Sequence, residues 1–360
     1  MIPVTDASQP PWGTRPPDIS PGTIEVGVYF DLRNPTRWRQ TPSYLYGFTI
    51  EMCQEAERLG AASAWFTEHH LFDDDYMSNP LTFAAAVAAR TERIRLGTAI
   101  VIAPLHHPVE IAEQGATVDV ISGGRLDLGI GAGYRVPEFQ LFDASLKNRY
   151  ARTDETARRL RELWGPNGIR PRPVQERPPI WMGYQGPQGA RRAGLLGERL
   201  LSADASLWQP YAAGLEAGGH PLNEAVMAGG FQGWATEDPE RDWSVVSKHL
   251  GYQLDSYRQH MVEGTGRPPP KPIDLDRVIN SATHAPLGSF TYGTPEVVAE
   301  RIRAHCAGAP VRTVFLWASL GGMADDIVAA NITTICTRLA PLLAAPPPKG
   351  NAATAITAAT

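Results

Sequence analysis

Glu68, His69 and His70 follow the apolar run "AWFT" and precede the acidic loop "DDDY". A carboxylate beside imidazoles can carry general acid–base chemistry, because an imidazole titrates near neutrality, at about pH 6.5. Two histidines and a glutamate can also hold a metal. Neighbours on an extended strand point to opposite faces, however, so adjacent histidines make a poor ligand pair. The plainer alternatives are a glutamate paired with a neighbouring helix and histidines satisfied in the core. A second pair, His106-His107-Pro108, has the composition of a loop running into a helix. "GIGAGY", Gly129 to Tyr134, invites a dinucleotide reading, but Tyr134 stands where GxGxxG needs its last glycine.

These residues need elements to position them. Short β-rich runs alternate with helical patterns, placing strands at 24–30, 62–67, 94–102, 126–131, 180–183, 200–203, about 227–234 and 311–317. Helices are expected at 44–59, after Asn79-Pro80, at 109–121, 149–164, from 184 to 196, at 243–260, after Thr294-Pro295 and at 325–343. Eight strands alternating with helices, without an Asn-Gly hairpin signal, favour an α/β chain folded as a (β/α)8 TIM barrel. Residues 1–22 hold six prolines and read as an extended arm, and 345–360 as a flexible tail. Residues 23–344 form the barrel, with 205–289 an insertion in its C-terminal half that serves as a lid.

Chemistry in such a barrel sits where strands run into their following loops. Those ends read "TEHH", "GTAIVIAPLHHP", "GIGAGY" and "MGYQGPQG". Glycine-rich ends let a flat ring or a phosphate approach the backbone without interference from Cβ. A net charge of −5 with dispersed basic residues argues against a nucleic-acid footprint. No uninterrupted apolar run approaches the roughly 18 residues of a membrane span, and the N-terminus lacks the pattern of a secretory signal. Cys53, Cys306 and Cys336 are far apart and odd in number, which fits buried thiols in a reducing cytoplasm.

The blocks "WFTEHH", "RIRLGTAIVIAPLHHPVEIAEQ", "DVISGGRLDLGIGAGYRVPEFQLFD", "PPIWMGYQGPQGARRAGLLGE" and "YGTPEVVAERI" together resemble the bacterial luciferase-like flavin monooxygenases. The resemblance spans nearly all of 24–343, with 205–289 the poorly matched part. It implies a (β/α)8 barrel that takes reduced FMN, adds dioxygen at flavin C4a and oxygenates an apolar or aromatic organic substrate through a C4a-peroxyflavin. His69 matches the flavin-facing histidine and is the implied acid/base; Glu68 and His70 support it. "GTAI" implies a cis peptide between Ala99 and Ile100, with Thr98 beside it, under the isoalloxazine. Ala132, Gly133 and Tyr134 border the ring, and Gln185, Gly186 and Gly189 offer phosphate-binding N–H groups at a helix start, with Arg191 and Arg192 near enough to assist. Some relatives carry a phosphate-contacting arginine where this chain has Ala132, and Arg135 is the candidate substitute.

Substrate is implied above the ring, between His69, Tyr134 and Tyr29. Trp208, Phe231, Trp234 and Trp243 either close an apolar lid or form the insertion's own core. The absence of a nicotinamide fingerprint implies a separate NAD(P)H:flavin reductase, and the small residues of "TFAAAVAA" suit a homodimer. The alternatives are an F420-dependent oxidoreductase on the same fold, a non-catalytic flavin-binding subunit, and a metal-dependent hydrolase drawing on Glu68, His69 and His107.

Overall fold

The computed structural model describes residues 22–281 and 289–345. The strands are β1 Glu25–Phe30, β2 Ser63–Phe66, β3 Arg95–Thr98, β4 Val101–Ile102, β5 Leu126–Gly131, β6 Ile180–Met182, β7 Arg199–Leu201, β8 Met227–Gly230, β9 Gly233–Ala235, β10 Thr291–Gly293 and β11 Val311–Trp317. Hydrogen bonding runs β3-β2-β1-β11-β8-β7-β6-β5-β4, and β3 also pairs with β5. The sheet therefore closes on itself as a parallel barrel of eight positions, with β3 and β4 sharing one. Every residue of β2 and β5 is buried, as expected for strands covered by side chains inside and helices outside.

The helices Pro42–Arg58, Pro80–Ala88, Pro108–Ser122, Arg149–Leu163, Gly186–Leu195 and Trp208–Gly218 follow successive barrel positions. Pro295–Cys306 precedes β11, and Asp325–Thr334 continues through a π turn at Ile335–Leu339 into Ala340–Ala344. By length and composition this last stretch, Asp325–Ala344, is apolar enough to cross a membrane. It instead buries Val328, Ile332, Ile335, Leu339 and Leu343, and its Leu343 carbonyl accepts from Ile24 N–H at 3.0 Å, tying the last helix to the start of β1.

The expected strand at 94–102 is broken between β3 and β4 by the expected cis bond at Ala99–Ile100. The expected strand near 227–234 divides in two. Its first part is barrel strand β8, and its second, β9, pairs with β10 outside the barrel. Thus 205–289 contains barrel elements, Trp208–Gly218 and β8, before the long helix Pro239–Val262. Asn79 precedes its helix without capping it; its side-chain oxygen accepts from Thr82 Oγ1 at 3.1 Å.

Pro239–Val262 packs on the loops after β1 and β2. Gln253 Nε2 donates to Asp31 Oδ2, and Gln253 Oε1 accepts from Gly321 N–H at 3.0 Å. Arg33 is enclosed by the rings of Phe72, Tyr76, Tyr252 and Tyr257, 4.9–5.6 Å from its guanidinium carbon. It donates to Asp74 at 2.7 Å and to Ser256 Oγ. A guanidinium with weak hydration suits such a buried, ring-lined position.

Candidate active site

The strand ends open into a cavity of about 1220 Å³. Its floor begins with Thr98, fully buried, whose hydroxyl donates to the Gly129 carbonyl at 2.7 Å and accepts from Gly129 N–H at 2.9 Å. Thr98 thus fastens β3 to β5 and does not line the cavity. Past the cis bond, the Ile100 side chain enters space left by two glycines. A Cβ on Gly131 would stand 2.9 Å from Ile100 Cδ1, and one on Gly183 would stand 2.5 Å from Ile100 Cγ2. Ala99, Ile100, Ala132, Gly133 and Gly183 all line the cavity, giving a floor of small side chains around Ile100, with Ile102 beside it.

His69 stands at the edge of this floor. Its Nδ1 lies 2.7 Å from Glu138 Oε1, and the same oxygen accepts from His70 N–H at 3.0 Å and Arg135 Nη1 at 3.1 Å. Burial pushes the Glu138 carboxyl upward, but the bonds from His69 and His70 and the Arg135 charge outweigh it and hold it below the usual glutamate range. An ionised carboxylate only accepts, so it fixes the proton on Nδ1 and leaves Nε2 facing the cavity. There Tyr134 OH lies 3.4 Å away. Phe72, Tyr76, Tyr134 and Tyr257 surround the ring with centroids 4.8–6.2 Å distant.

Arg135 is fully buried in this arrangement. It also bonds Glu263 Oε2 at 2.6 Å and the His70 carbonyl, and lies over Phe72. It does not line the cavity, so it is not the phosphate ligand that the departure at Ala132 suggested.

Glu68 belongs to a different cluster. Its Oε1 accepts from His70 Nε2 at 2.7 Å and His106 Nε2 at 2.6 Å, and its Oε2 accepts from Ile102 N–H at 2.7 Å. Burial raises its pKa, but these donors prevail and hold it below the ordinary value; the same pairing raises His106 against its own burial. The three ligand-type atoms lie within 4.8 Å of one another, yet each is already hydrogen-bonded within the group. His107 instead caps Pro108–Ser122, accepting from Val109 N–H at 3.2 Å. Glu68, His69 and His107 are therefore not brought together as hydrolase ligands.

At the far end, Gln185 lines the cavity as the N-cap of Gly186–Leu195, and Gly186 takes φ +72°. Gly189 lies against Tyr184, where a Cβ would sit 2.6 Å from the tyrosine's own Cβ. Gly186 and Gly189 stand at this helix start without lining the cavity. Arg191 is exposed, and Arg192 lies 3.2 Å from Asp154, so neither reaches inward. Arg149, overlooked in the sequence, does line the cavity: its guanidinium lies over Tyr150 at 4.5 Å and its buried Nε has no hydrogen-bond partner among the described residues. The available signal was a basic residue heading the helix after the fourth barrel strand.

Tyr29 lines the opposite wall with Tyr76, Tyr257, Phe315 and Trp317. Of the four aromatics considered for a lid, only Phe231 lines the cavity. Trp208 packs on Tyr211, Trp234 is 3% exposed in the core, and Trp243 packs on Tyr292. Tyr257 and Met261 of Pro239–Val262 contribute the wall those tryptophans were expected to make.

The sequence profile of luciferase-like monooxygenases matches residues 25–313. A flavin-dependent trigonelline monooxygenase, oxygenase component, from Acinetobacter baylyi is 34% identical over 41% of this chain and 46% of its own length. An F420-dependent glucose-6-phosphate dehydrogenase from Amycolatopsis mediterranei is 28% identical over 59% of this chain and 66% of its length. The chain thus spans less than half of the first relative. Among solved structures, the monooxygenase RslO1 from Streptomyces bottropensis superposes with a TM-score of 0.72 at 23% identity, covering 88% of this chain and 99% of that one. The oxygenating constituent of 3,6-diketocamphane monooxygenase from Pseudomonas putida, in complex with FMN, gives 0.67 at 19% identity, covering 89% and 98%. At these identities the superpositions establish the fold.

Proposed function

The chain belongs to the luciferase-like monooxygenase family, and from that premise we propose that it is the oxygenase of a two-component system using reduced FMN and dioxygen on an apolar or aromatic organic substrate. The observation that carries this reading is His69 Nε2, presented to the cavity beside a floor of small residues while Glu138 holds Nδ1. The residues fit a flavin. Ala99, Ile100, Ala132 and Gly133 would lie under a flat tricyclic ring, with Thr98 fastening that floor from beneath. The partnerless Nε of Arg149, with Gln185 and the N-terminus of Gly186–Leu195 where Gly186 and Gly189 stand, would receive the phosphate. Bound reduced FMN supplies the electrons that activate dioxygen.

The chain's own work is then positional and protonic. Glu138 fixes the tautomer of His69, Nε2 gives or takes a proton at the reacting centre, and Tyr134 OH is within reach to pass it on. Tyr29, Tyr134 and His69 border the substrate, and Phe231, Tyr257 and Met261 limit water. The Acinetobacter relative's designation as an oxygenase component supports a partner NAD(P)H:flavin reductase. A cytoplasmic location, supported by three buried free thiols, and a homodimer, tested by solution sizing, complete the reading.

Anaerobic titration with reduced FMN and with F420, followed by oxygen, tests it. Saturable binding of reduced FMN followed by oxygen uptake and product is expected. Tight F420 binding with no oxygen uptake establishes the second reading, an F420-dependent oxidoreductase, which the longer match to the Amycolatopsis enzyme favours. A non-catalytic flavin-binding subunit would bind FMN with no turnover for His69→Ala to abolish.

A further inference from the structure

Trp317 ends β11, directly across the barrel from β5 and the floor. It is 4% exposed and lines the cavity, yet its Nε1–H has no hydrogen-bond partner among the described residues. Buried donors in native proteins are paired with few exceptions, so an unpaired one at a cavity wall looks to the cavity's occupant for its acceptor. Aromatic rings frame the indole. Tyr257 lies 6.4 Å away at 19°, Phe290 6.1 Å at 23° and Tyr29 6.3 Å at 35°.

Hydroxyl groups also cluster beside it. Tyr76 OH is 2.7 Å from Tyr257 OH and 3.1 Å from Thr67 Oγ1. Tyr29 OH joins the same cluster beside Thr67, Tyr76 and Tyr257, and hydroxyl rotors of this kind can turn toward an acceptor in the cavity. Burial first, then the neighbouring groups, raises the phenols of Tyr76 and Tyr257 well above their usual range, so both stay protonated donors.

We infer that Trp317, Tyr76 and Tyr257 form a subsite for a planar aromatic substrate bearing an acceptor oxygen, a carbonyl or phenolate, which Trp317 Nε1–H reads. This rests on the proposed function, because it assigns the substrate side of the same cavity. A flavin ring carbonyl offers the same acceptor chemistry, but the floor where that ring would lie is built from β4, β5 and β6, on the other side of the barrel.

The test titrates 1-tetralone and tetralin, a ketone and a hydrocarbon of nearly equal size, into the full chain loaded with oxidised FMN, with calorimetric detection. The ketone is expected to bind about tenfold tighter, the scale of one buried hydrogen bond. Trp317→Phe keeps a ring and removes the N–H, and is expected to bring the two ligands within about twofold while FMN affinity stays within twofold. Equal binding to the native protein overturns the subsite. So does a preference unchanged in Trp317→Phe, or a tenfold loss of FMN affinity in that variant with the ketone preference retained, which gives the N–H to the cofactor. If Trp317→Phe fails to fold, Tyr257→Phe is expected to reduce the preference by at least threefold, and an unchanged preference overturns the assignment. If F420 binds and FMN does not, the titration is repeated on F420-loaded protein, where the ketone preference stands or falls apart from the cofactor.

Discussion

Glu68 and His69 are adjacent in sequence, yet each belongs to a carboxylate–imidazole cluster of a different kind. Around Glu68 the bonding closes: one carboxylate oxygen takes two imidazoles, and the other takes the N–H of Ile102, the last residue of β4. Around His69 it stays open: Glu138 secures one ring nitrogen and the other is left to the cavity. His70 joins the two, through its backbone to Glu138 and its side chain to Glu68. The same residue types therefore serve as a brace on one side and as a reagent on the other, and what distinguishes them is that His69 lines the cavity while His70 and His106 do not.

The largest effect is expected from opening the reagent. His69→Ala should lower product formation at saturating reduced FMN by at least about 100-fold, the low end for a lost acid–base group, with little change in Tm. Glu138→Gln should follow, with kcat reduced about 10–100-fold and its pH profile displaced, since the amide no longer enforces one tautomer. Thermal unfolding should also show a stability loss of about 2–4 kcal/mol, because Arg135 stays buried with only Glu263 as counterion.

Glu68→Gln should reverse that balance. Activity is expected to fall less than tenfold, while stability drops by about 1–3 kcal/mol as a buried donor loses its acceptor. Equal activity losses in Glu68→Gln and Glu138→Gln would erase the distinction between brace and reagent.

The smallest effects lie in pH dependence. Glu68 and Glu138 are held below their unfolded values, so their stabilisation is complete above about pH 4.5 and is lost as pH falls through the folded values. Asp31 runs the other way. Burial, against the pull of Arg33, raises it from 3.8 to about 6, so its contribution is complete below about pH 3.8 and is lost as pH rises through 6. Asp31→Asn should therefore gain on the native protein between pH 5 and 8, by an amount of order 1 kcal/mol in denaturant unfolding.

Much of this was legible because strand ends advertise themselves. The cis bond in "GTAIVIAP" and the cavity-facing imidazole in "TEHH" were legible through the family resemblance, whereas read alone 94–102 was one strand. Glu138 was not legible, since it lies 69 residues from His69 and reads as an ordinary acidic residue in the first turn of Val136–Leu141. Arg135 illustrates the converse. Its position in sequence suggested a phosphate, but the four partners of its side chain come from segments as far away as His260 and Glu263, which no local pattern reveals. The composition of 205–289 set it apart but concealed the barrel strand β8 within it, and its chief contribution, Tyr257 and Met261 on one helix, depends on docking across Asp31 and Arg33.

Ile100 and the two glycines it fills make the floor a keyed joint, with one key shared between two sockets on different strands. Alanine at Gly131 or Gly183 would drive the key upward into the cavity, and valine at Ile100 would leave a socket partly empty. Inherited change on this side of the barrel must therefore come in matched sets. The wall of Tyr29, Tyr257 and Trp317 is joined differently, through ring faces and one hydroxyl contact rather than through glycine sockets, so a change of ring there alters the cavity without unseating the floor.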